Sequence, residues 1–590
     1  MATMIRTHVI AFDDADPADV ARLGGKGASL VEMRRLGLPV PPGFIISTEV
    51  CRRFLRDGHI PDDVATSVDD HLAAVEAALG RRLGDPDAPL LVSVRSGAPV
   101  SMPGMMDTIL DLGLCETTIG GLARASGDER FAWDCYVRLL LAYGTTVRGI
   151  DAATLSGLVA TDAGDLQRAA SSLLVAIESG SGRPFPQDPR DQLREAIEAV
   201  FRSWESPRAD RYRRYAGISD DLGTAVVVQA MVFGNRGDSS GTGVAFTRDP
   251  ATGQPGPYGD FLAGAQGDDV VAGEHDVGSL EDCRAIAPQA YADLTRALTI
   301  VERDARDMSE IEFTVEDARL WVLQSRTGQR TARAAIRIAT DLVDEGFIEV
   351  AEAIARIHPA SLIHLRAPIL DPAAAKTVLG RGVAASPGSA VGRVALDPQR
   401  AEDMAADGGD VILVRPFTSP DDVAGMIAAR GIVTAHGGRT SHAAVVARGM
   451  DRPAVCGVDG LMVTAGEARF GDATVIEGDE LSVDGTTGEI YRGALPLVAP
   501  EVDPRTERLL GWCDERRRIP LLSEGDGASW ADRAYDRGDA IVCRSRDDVL
   551  SALPEGRPIL VDVTIAEAAA AALSAAADGS TSGLAVLVDR

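Results

Sequence analysis

The sequence predicts a mixed α/β protein with several domains. Its 590 residues exceed the roughly 150 of an average domain, so three or four domains are expected. Short β-branched runs bounded by glycine, at 410–414 and 431–435, predict buried strands, and residues 120–215 are mostly helical in pattern. Proline-containing stretches at 358–372 and 497–504 predict linkers between compact regions.

The composition is that of an ordinary globular protein, with 45% hydrophobic and 25% charged residues. The formal charge, 59 − 88 = −29, argues against general binding of nucleic acid or anionic membranes, because both need clustered Lys and Arg. No apolar run approaches the roughly 20 residues of a membrane helix, and the N-terminus lacks a signal-peptide pattern. The seven cysteines show no C-x-x-C spacing, so we expect a cytoplasmic protein without disulfides or a zinc site.

The first candidate site residues lie near the N-terminus. A glycine-rich turn at 23–27 leads into an amphipathic helix and carries Lys26, which can contact a phosphate as a mobile point charge. This is not a Walker A motif, since no Ser or Thr follows the lysine, and a solvated surface lysine is the alternative. The strand predicted at 90–97 carries Arg95 where strand meets loop, a position suited to bidentate phosphate binding.

A glycine-rich segment separates two apolar runs near the middle of the chain. We predict strands at 224–233 and 244–248, joined by a loop at 234–243 into a hairpin. The backbone N–H groups of such a loop can form an anion-binding concavity over nucleotide phosphates. A flexible hairpin without a ligand explains the same pattern equally well.

Residues 311–315 and 320–326 predict a second hairpin. Strand alternation places Glu310 and Glu312 on one face, and Gln324 and Arg326 on one face. Two carboxylates near a glutamine suit Mg²⁺, a hard cation that also takes phosphate oxygens, and the arginine can neutralise a transferring phosphoryl group. A cross-strand ion pair with a purely structural role is the alternative.

The stretch 437–449 combines a turn, a helix cap and a histidine. A glycine pair gives a tight turn, and Thr440 or Ser441 can cap the helix that follows. His442 then lies in the first helical turn, where unpaired N–H groups favour an anion. A neutral imidazole there can act as a nucleophile, with Arg439 holding the phosphoryl group. A capping turn around a packed histidine is the alternative.

Taken together, these segments resemble the pyruvate, phosphate dikinases of the phosphoenolpyruvate-utilising enzyme family, which also includes phosphoenolpyruvate synthase. The similarity covers about residues 20–495 and rests on the following stretches: LGGKGASLVEM, LPVPPGF, LLVSVRSGA, SMPGMMDTILDLGL, SGTGVAFTRDPATG, AQGDDVVAG, IEFT, LQSRTGQRT, ILVRPFTSPDDVAGM and GGRTSHAAVVARG. The resemblance implies an ATP-grasp nucleotide-binding domain at 1–340, a helical linker at 341–380 and a swivelling β/β/α phosphohistidine domain at 381–497. It also implies a truncated βα region at 505–590, similar to the start of the family's phosphoenolpyruvate/pyruvate barrel.

The resemblance assigns roles to matching positions. Lys26 and Arg95 would contact the phosphates of ATP, Arg326 would meet the transferred phosphoryl group, and His442 would be phosphorylated on Nε2. The other implied roles are a loop over the phosphates from Gly241, Thr242 and Gly243, an adenine pocket from Gln229, Met231 and Val232, and nucleotide contacts from Glu310, Glu312 and Gln324, the last two also as Mg²⁺ ligands.

The sequence departs from the family's pattern in two places. His436 stands where the dikinases usually have arginine, and the loss of that cation can weaken stabilisation of a phosphohistidine. The chain ends at Arg590, before the positions of the barrel's later metal carboxylates and catalytic cysteine, so we expect an incomplete pyruvate site. Thr440 matches a regulatory phosphorylation site of the plant dikinases.

The resemblance therefore implies a dikinase-type phosphotransferase. ATP and phosphate would phosphorylate His442, with release of AMP and pyrophosphate, and the phosphoryl group would pass to pyruvate or another acceptor. A separate barrel protein and a second copy of the chain are the implied protein partners. The alternatives are a non-catalytic regulatory remnant and a phosphocarrier that receives its phosphoryl group from phosphoenolpyruvate on a partner.

Overall fold

The computed structural model describes residues 7–516 except 101, 103–105, 162–163, 272–276, 358–364, 366, 420–421, 465 and 502, and also four short strands nearer the C-terminus. Short 3₁₀ turns occur at Phe12–Asp14 and Asp220–Leu222. The first elements are β1 Val9–Ala11, α1 Val20–Arg35, β2 Gly43–Ile46, α2 Thr48–Asp57, α3 Asp62–Leu79, β3 Arg82–Leu83, β4 Pro89–Leu90, β5 Val92–Gly97, β6 Thr108–Leu112, α4 Ile119–Ser126, α5 Glu129–Thr146, α6 Ala152–Thr161, α7 Leu166–Ser181, α8 Pro189–Ser203, α9 Pro207–Ala216 and β7 Ala225–Ala230.

Sheet 1 is antiparallel and has the strand order β1–β2–β7–β5–β6. One face, which includes Val226 and Val228, packs on helices α2 to α9. The opposite face, which includes Val227 and Ile45, packs on α1 and on the next sheet. Because successive strand residues point to opposite faces, a continuous β-branched run is needed to bury both sides of β7. The predicted helical region and the predicted strand with Arg95 are confirmed.

The middle of the chain forms a second antiparallel sheet, with the order β10–β9–β8–β11–β12. Sheet 2 packs one face on sheet 1, through Ile311 and Phe313. Its other face carries Val244 and Phe246 and is partly covered by helices. The elements of this part are β8 Gly241–Arg248, β9 Pro255–Ala263, α10 Gly267–Val271, β10 Gly278–Ser279, α11 Leu280–Ile286, α12 Pro288–Ala305, β11 Ser309–Glu316, β12 Arg319–Thr327, α13 Ala332–Asp344 and α14 Val350–Ala355.

The predicted hairpin of 224–233 and 244–248 is wrong. β7 lies in sheet 1 and β8 in sheet 2, and the predicted loop residues Gly241, Thr242 and Gly243 lie inside β8, paired with β9 on one side and β11 on the other. The glycines make room for two aromatic rings, since a Cβ at 241 would lie 2.2 Å from the ring of Phe261 and one at 243 would lie 2.7 Å from the ring of Phe313. Ring packing therefore explains glycines that the sequence attributes to a phosphate-covering loop.

A third sheet carries the histidine stretch, in the order β14–β24–β23–β16–β17–β18–β19–β15. A three-stranded sheet, β20–β21–β22, covers one face and the helices α15 to α17 cover the other. We call residues 378–492 the His442 domain. The elements here are β13 Ile369–Leu370, β14 Val378–Arg381, β15 Val383–Ser386, β16 Ser389–Ala395, α15 Pro398–Ala406, β17 Val411–Arg415, α16 Val423–Ala428, β18 Gly431–Thr434, α17 His442–Gly449, β19 Ala454–Cys456, β20 Leu461–Val463, β21 Glu467–Phe470, β22 Ala473–Ile476, β23 Glu480–Asp484, β24 Glu489–Arg492 and β25 Leu497–Val498.

The two predicted linkers run side by side. β13 and β25 form an antiparallel pair in which Ile369 opposes Val498, so the chain enters and leaves the His442 domain through one two-stranded neck. Most of the rest of the first linker, 358–364 and 366, lies outside the described residues. The strands expected at 410–414 and 431–435 are confirmed as β17 and β18.

After the neck, α18 Pro504–Arg516 packs back onto α13 and α14, with Leu509 fully buried and Arg508 2.6 Å from the carboxylate of Asp344. The last described elements are β26 Leu521–Leu522, β27 Ile541–Cys543, β28 Ile559–Val561 and β29 Val586–Leu587. They pair in parallel, β26 with β29 and β27 with β28, which agrees with the expected βα alternation. The likeness of this region to a barrel stays a prediction.

Candidate active site

The start of α1 is pressed against the end of β5. Gly24 has a φ of +68°, and a Cβ there would lie 1.7 Å from the carbonyl oxygen of Gly97, so only glycine permits this approach. Gly25 donates its N–H to the Ala98 carbonyl at 2.8 Å. Lys26 follows directly and is half-buried beside the end of β5. The glycine-rich turn therefore places this lysine next to the strand that carries the predicted arginine.

Arg95 connects sheet 1 to the edge strand of sheet 2. Its Nη2 lies 3.5 Å from Oε2 of Glu312, and its Nη1 donates to the Leu323 carbonyl at 3.4 Å. That carbonyl is available because the β11–β12 register shifts after Glu312 and leaves Leu323 as a bulged residue. The structure thus brings together an arginine and a carboxylate that lie 217 positions apart in the printed sequence.

Two rows of side chains line the face of sheet 2 that points away from sheet 1. Register partners across β9, β8, β11 and β12 form the rows Tyr258–Phe246–Glu310–Arg326 and Asp260–Val244–Glu312–Gln324. Directly opposed residues in an antiparallel sheet share a face, so each predicted pair, Glu310 with Glu312 and Gln324 with Arg326, is confirmed, and the register puts both pairs on the same face. With strands about 4.8 Å apart, each row spans roughly 15 Å.

Glu310 and Arg326 form a largely buried ion pair. Nε and Nη2 of the arginine donate to Oε1 of the glutamate at 3.0 and 2.5 Å. Glu310 is only 2% exposed, and burial raises the pKa of its carboxyl against the opposing effect of the arginine. This is the cross-strand ion pair that the sequence left as an alternative. The arginine side chain keeps 37% of its surface exposed, so it can also meet a ligand.

The residues predicted for an adenine pocket lie at the end of β7. Gln229 opposes Ser93 across the β5–β7 ladder and shares a sheet face with Arg95. Its side-chain amide donates to the Pro41 carbonyl at 3.1 Å, so the chain before β2 lies against the end of β7. Met231, by contrast, packs against the helical core of sheet 1. Val232, next to it, is nearly fully buried.

His442 is the first residue of α17, as predicted. Ser441 is the helix cap, and its hydroxyl accepts the N–H of Ala444 at 3.4 Å. The hydroxyl of buried Thr418 lies 3.0 Å from Nδ1 of His442. This contact occupies Nδ1 and leaves Nε2 as the nitrogen that can react. Burial lowers the pKa of the imidazole below 6.5, against a smaller opposing effect of Asp422, so the ring is neutral at pH 7.

The His442 domain docks on the second row of sheet 2. Asp260, 1% exposed, accepts the backbone N–H of Thr440 at 2.6 Å and its hydroxyl at 2.9 Å through the same oxygen. The guanidinium of Arg439 lies 5.6 Å from the ring centroid of Tyr258, and its predicted role of holding a phosphoryl group stays a prediction. Gly438 allows the contact between Asp260 and Thr440, because a Cβ at position 438 would lie 2.6 Å from the Asp260 carboxylate.

Arg448 continues the same interface and is fully buried. Its Nη1 donates to the carbonyls of Ala385 and Arg439, at 2.9 and 2.8 Å, and its guanidinium lies 5.8 Å from the ring centroid of Phe246. Glu310 is among the charges that oppose the lowering of its pKa by burial. The helix that starts at His442 therefore lies over the face of sheet 2 that carries the ion pair.

Sequence reasoning missed Asp260, Thr418 and Arg448. Asp260 is an ordinary strand residue in sequence, and its role depends on a contact with a segment 180 positions away. Thr418 has a weak signal, because it lies in one of the stretches that carry the family resemblance. Arg448 has the pattern of a basic residue in the last turn of a helix, which predicts exposure rather than burial.

The oxygen donors at the β11–β12 hairpin fit a hard divalent cation. Glu312 and Gln324 are register partners, and Glu312 is a quarter exposed beside Arg95. Within the described part of the chain, no group of three or more His, Cys, Asp or Glu side chains is arranged as a metal site. One carboxylate and one amide agree with Mg²⁺, which binds through few protein ligands and completes its shell with water and phosphate oxygens.

Two family models match the chain. One describes the pyruvate phosphate dikinase AMP/ATP-binding domain and matches residues 20–72 and 58–281; the other describes the mobile domain of phosphoenolpyruvate-utilising enzymes and matches residues 408–488. The chain is a pyruvate, phosphate dikinase-like protein. The first match contains Lys26 and Arg95, and the second contains His442. The ion pair and the Mg²⁺ candidates lie between the two matched regions.

Curated relatives agree with this family. The chain is 42% identical over 575 residues to pyruvate, phosphate dikinase of Rhizobium meliloti (strain 1021), covering 92% of this chain and 64% of the relative. It is 45% identical over 522 residues to the chloroplastic dikinase 1 of Arabidopsis thaliana, and 43% identical over 537 residues to the Clostridium symbiosum dikinase. These matches cover 85% and 88% of this chain, and 54% and 61% of the relatives. The chain thus spans about three fifths of the length of the dikinases it matches.

Two broader expectations from the sequence concern membrane-spanning helices and disulfide bonds. None of the helices in the described part of the chain is both long and apolar enough to span a membrane. The six cysteines with described side chains are all buried, and none of the six forms a disulfide.

Proposed function

We propose that the chain transfers a phosphoryl group from ATP to His442, in a dikinase reaction that also consumes phosphate and releases AMP and pyrophosphate. The observation that carries this proposal is the docking of the His442 helix on the face of sheet 2 that presents Glu310 and Arg326. The helix that begins with the nucleophile thus lies over the sheet face that carries a cation suited to a phosphoryl group.

In this proposal, sheets 1 and 2 form an ATP-grasp arrangement that holds the nucleotide where β5 meets the edge of sheet 2. Lys26 and Arg95 would neutralise phosphate oxygens, the arginine exchanging its long contact with Glu312 for a shorter one with phosphate. Gln229, with Met231 and Val232, would lie toward the base. Gly241, Thr242 and Gly243 take no part, because their backbone is committed to β8.

The chemistry begins with a neutral imidazole whose Nδ1 is held by Thr418. Nε2 attacks the β-phosphorus of ATP, and the bond from this phosphorus to the oxygen bridging the α-phosphate breaks, so that AMP leaves. Phosphate then accepts the γ-phosphoryl group as pyrophosphate, and the β-phosphoryl group stays on Nε2. Arg326 would offset the negative charge that accumulates on the transferred group.

Glu312 and Gln324 would hold Mg²⁺ together with the phosphates. The ion supplies positive charge that makes the phosphorus more electrophilic and the leaving phosphate more stable. The residues of the chain itself set the orientation: the bulge at Leu323 fixes Arg95 beside Glu312, and the β11–β12 register fixes Gln324 opposite it.

We further propose that the His442 domain swivels on the paired strands β13 and β25 to deliver the phosphoryl group. The acceptor would be pyruvate, or another molecule, bound on a separate barrel protein. Pyruvate is suggested by the relatives, which are named pyruvate, phosphate dikinases. The chain spans about three fifths of their length.

The test is a labelling experiment on the pure chain. With Mg²⁺ and phosphate, β-labelled ATP should give acid-labile label on the protein, while γ-labelled ATP should give labelled pyrophosphate. The variant His442→Ala should show neither protein label nor AMP release. Absence of His442-dependent label in the unmodified chain would exclude the ATP-dependent function and favour the regulatory remnant.

Label that arrives only from phosphoenolpyruvate with a partner protein, and never from ATP, would identify the chain as a phosphocarrier instead. Arg95→Ala is the discriminating control, because an ATP-dependent reaction needs this residue and a carrier does not.

A further inference from the structure

A second carboxylate bonds across the docking interface, at the other end of α17. Oδ1 of Asp451 accepts the backbone N–H of Ala332 at 2.8 Å. Ala332 is the first residue of α13, a helix that packs on sheet 2. Asp260 reaches from sheet 2 to the loop before α17, whereas Asp451 reaches from the end of α17 to a helix on sheet 2. The two contacts therefore flank the His442 helix.

The backbone of Asp451 is held in an unusual conformation. Its φ is +48°, in the left-handed region that non-glycine residues rarely adopt, although aspartate tolerates it better than most. Its N–H donates to the Arg448 carbonyl at 3.1 Å, and the N–H of Arg452 donates to the Ala447 carbonyl at 2.9 Å. These bonds fix the carboxylate to the end of α17, so its position follows that of the helix.

The receiving end of α13 is equally well fixed. Thr331 donates its N–H to the Pro250 carbonyl at 3.1 Å and its hydroxyl to the Ala251 carbonyl at 2.8 Å. The same hydroxyl accepts the N–H of Ala334 at 3.2 Å. One N–H of the first turn is thus capped locally, and that of Ala332 is capped by the His442 domain. An anion at this place is favoured by the helix dipole.

We propose that Asp451 is a positioning residue that caps α13 from the His442 domain and thereby fixes the direction of the His442 helix over sheet 2. α17 has eight residues and a length of about 12 Å. Asp260 and the ring contacts of Arg439 and Arg448 hold the helix against sheet 2. The Asp451 bond beyond the C-terminal end of the helix adds a directional contact that fixes the helix axis and aims Nε2. The consequence for catalysis rests on the proposed function; the contact itself does not.

The first test measures docking without any reaction. Hydrogen exchange at the Ala332 amide should be slow in the unmodified chain, because its proton is bonded across the interface. In Asp451→Gly the acceptor is gone and the positive φ becomes unstrained, so the domain itself should fold normally. We expect exchange at this amide to quicken at least tenfold. Asp317→Gly is the matched control, since Asp317 also has a positive φ, 49°, but lies in the β11–β12 turn.

The second test measures the effect on labelling of His442 from ATP. Asp451→Gly should lower the maximal rate about 3- to 30-fold, the range expected from loss of one helix cap. The ATP concentration for half-maximal rate should not change, because Lys26 and Arg95 are untouched. Asp451→Asn keeps an oxygen acceptor and the tolerance for a positive φ, so it should restore most of the rate.

The outcomes separate this inference from the proposed function. If the unmodified chain takes no label, the proposed function fails while the exchange measurement still decides the cap. Unchanged Ala332 exchange in Asp451→Gly overturns the inference. So does an Asp451→Asn chain that is as impaired as the glycine variant, because the hydrogen bond is then not what acts.

Discussion

The contacts within sheets 1 and 2, here called the fixed side, differ from the contacts between sheet 2 and the His442 domain. On the fixed side, Arg326 donates two N–H groups to Glu310, and Arg95 contacts both Glu312 and the carbonyl of the bulged residue Leu323. Across the interface, buried polar atoms remain without a hydrogen bond among the described residues: Oδ1 of Asp260, and Nε and Nη2 of Arg448. Within sheet 2, Oε2 of Glu310 is also buried without a hydrogen bond.

This difference has an energetic meaning. A buried polar group without a hydrogen bond destabilises the docked state, because it has lost its hydration. That cost disappears when the group is exposed to water again. The interface combines favourable bonds at both ends of α17 with such unpaired groups, so the docked state gains less stability than its buried area implies. Under the proposed function, the His442 domain docks for one reaction and leaves for the next, and such a balance suits both steps.

The largest expected effect comes from breaking the fixed side. Glu310→Ala removes a buried carboxylate and two charge-assisted hydrogen bonds from Arg326, which is itself partly hydrated, so the free energy of unfolding should fall by about 1.5–3 kcal/mol. Glu310→Gln keeps an acceptor of the same shape and should lose less. Chemical denaturation checks both variants, and an alanine variant as stable as the unmodified chain would contradict a tightly built fixed side.

A smaller and different effect is expected at the interface. Asp260→Ala removes two bonds from Thr440 to a carboxylate, so labelling of His442 should slow about 10- to 100-fold. The free energy of unfolding should change little, because Thr440 can bond to water once the domains separate. Single-turnover labelling and denaturation on the same sample test this. A large loss of stability with normal labelling would reverse the comparison.

The next effect concerns the tautomer of His442. Thr418→Val removes the partner of Nδ1 with little change in volume, so the ring loses its fixed orientation. We expect labelling to slow about 3- to 10-fold, in line with the loss of one neutral hydrogen bond. The rate of labelling at saturating ATP measures it. Substitution of a threonine outside the site, such as Thr299→Val, should leave the rate unchanged.

The smallest effect is a pH dependence. Burial lowers the pKa of His442 below 6.5, so the neutral nucleophile persists to a lower pH than in an exposed histidine. Labelling should therefore stay constant as the pH falls through 6.5 and decline only below it. For stability the sign is the same: the unfolded chain takes up the proton near pH 6.5 while the folded chain resists it, so stability falls below that pH. An acid limb centred above 6.5 would contradict the burial of His442.

The sequence predicted features that local pattern decides. Period-2 alternation predicts Glu310 with Glu312 on one face and Gln324 with Arg326 on one face, and glycine punctuation with a capping residue predicts His442 in the first turn of a helix. Such features depend on neighbours within a few positions, so one sequence suffices to infer them.

Features that depend on distant packing were not predictable. The glycines of β8 face the rings of Phe261 and Phe313, 20 and 70 positions away in sequence, and this packing is not visible in a glycine-rich pattern, which by itself predicts a loop. Asp260 and Asp451 have ordinary local surroundings, and only the docking of two distant segments gives them partners. The family resemblance supplied roles for conserved-looking stretches but not this interface.

In the proposed function, His442 receives its phosphoryl group while the His442 domain is docked on sheet 2. Gln329 and Gly449 face each other across the interface, since a Cβ at Gly449 would lie 3.7 Å from Oε1 of Gln329. The double variant Gln329→Cys with Gly449→Cys, joined by a short bismaleimide, would lock the domains together. The six native cysteines with described side chains are buried, which favours selective reaction.

The most direct measurement is labelling of this locked chain by β-labelled ATP, with the unlinked double variant as control. We expect the locked chain to label His442 at least as fast as the unlinked one, because it no longer leaves the docked state. A locked chain that binds ATP but takes no label, beside an unlinked control that does, would show that phosphoryl transfer needs a different arrangement of the two domains.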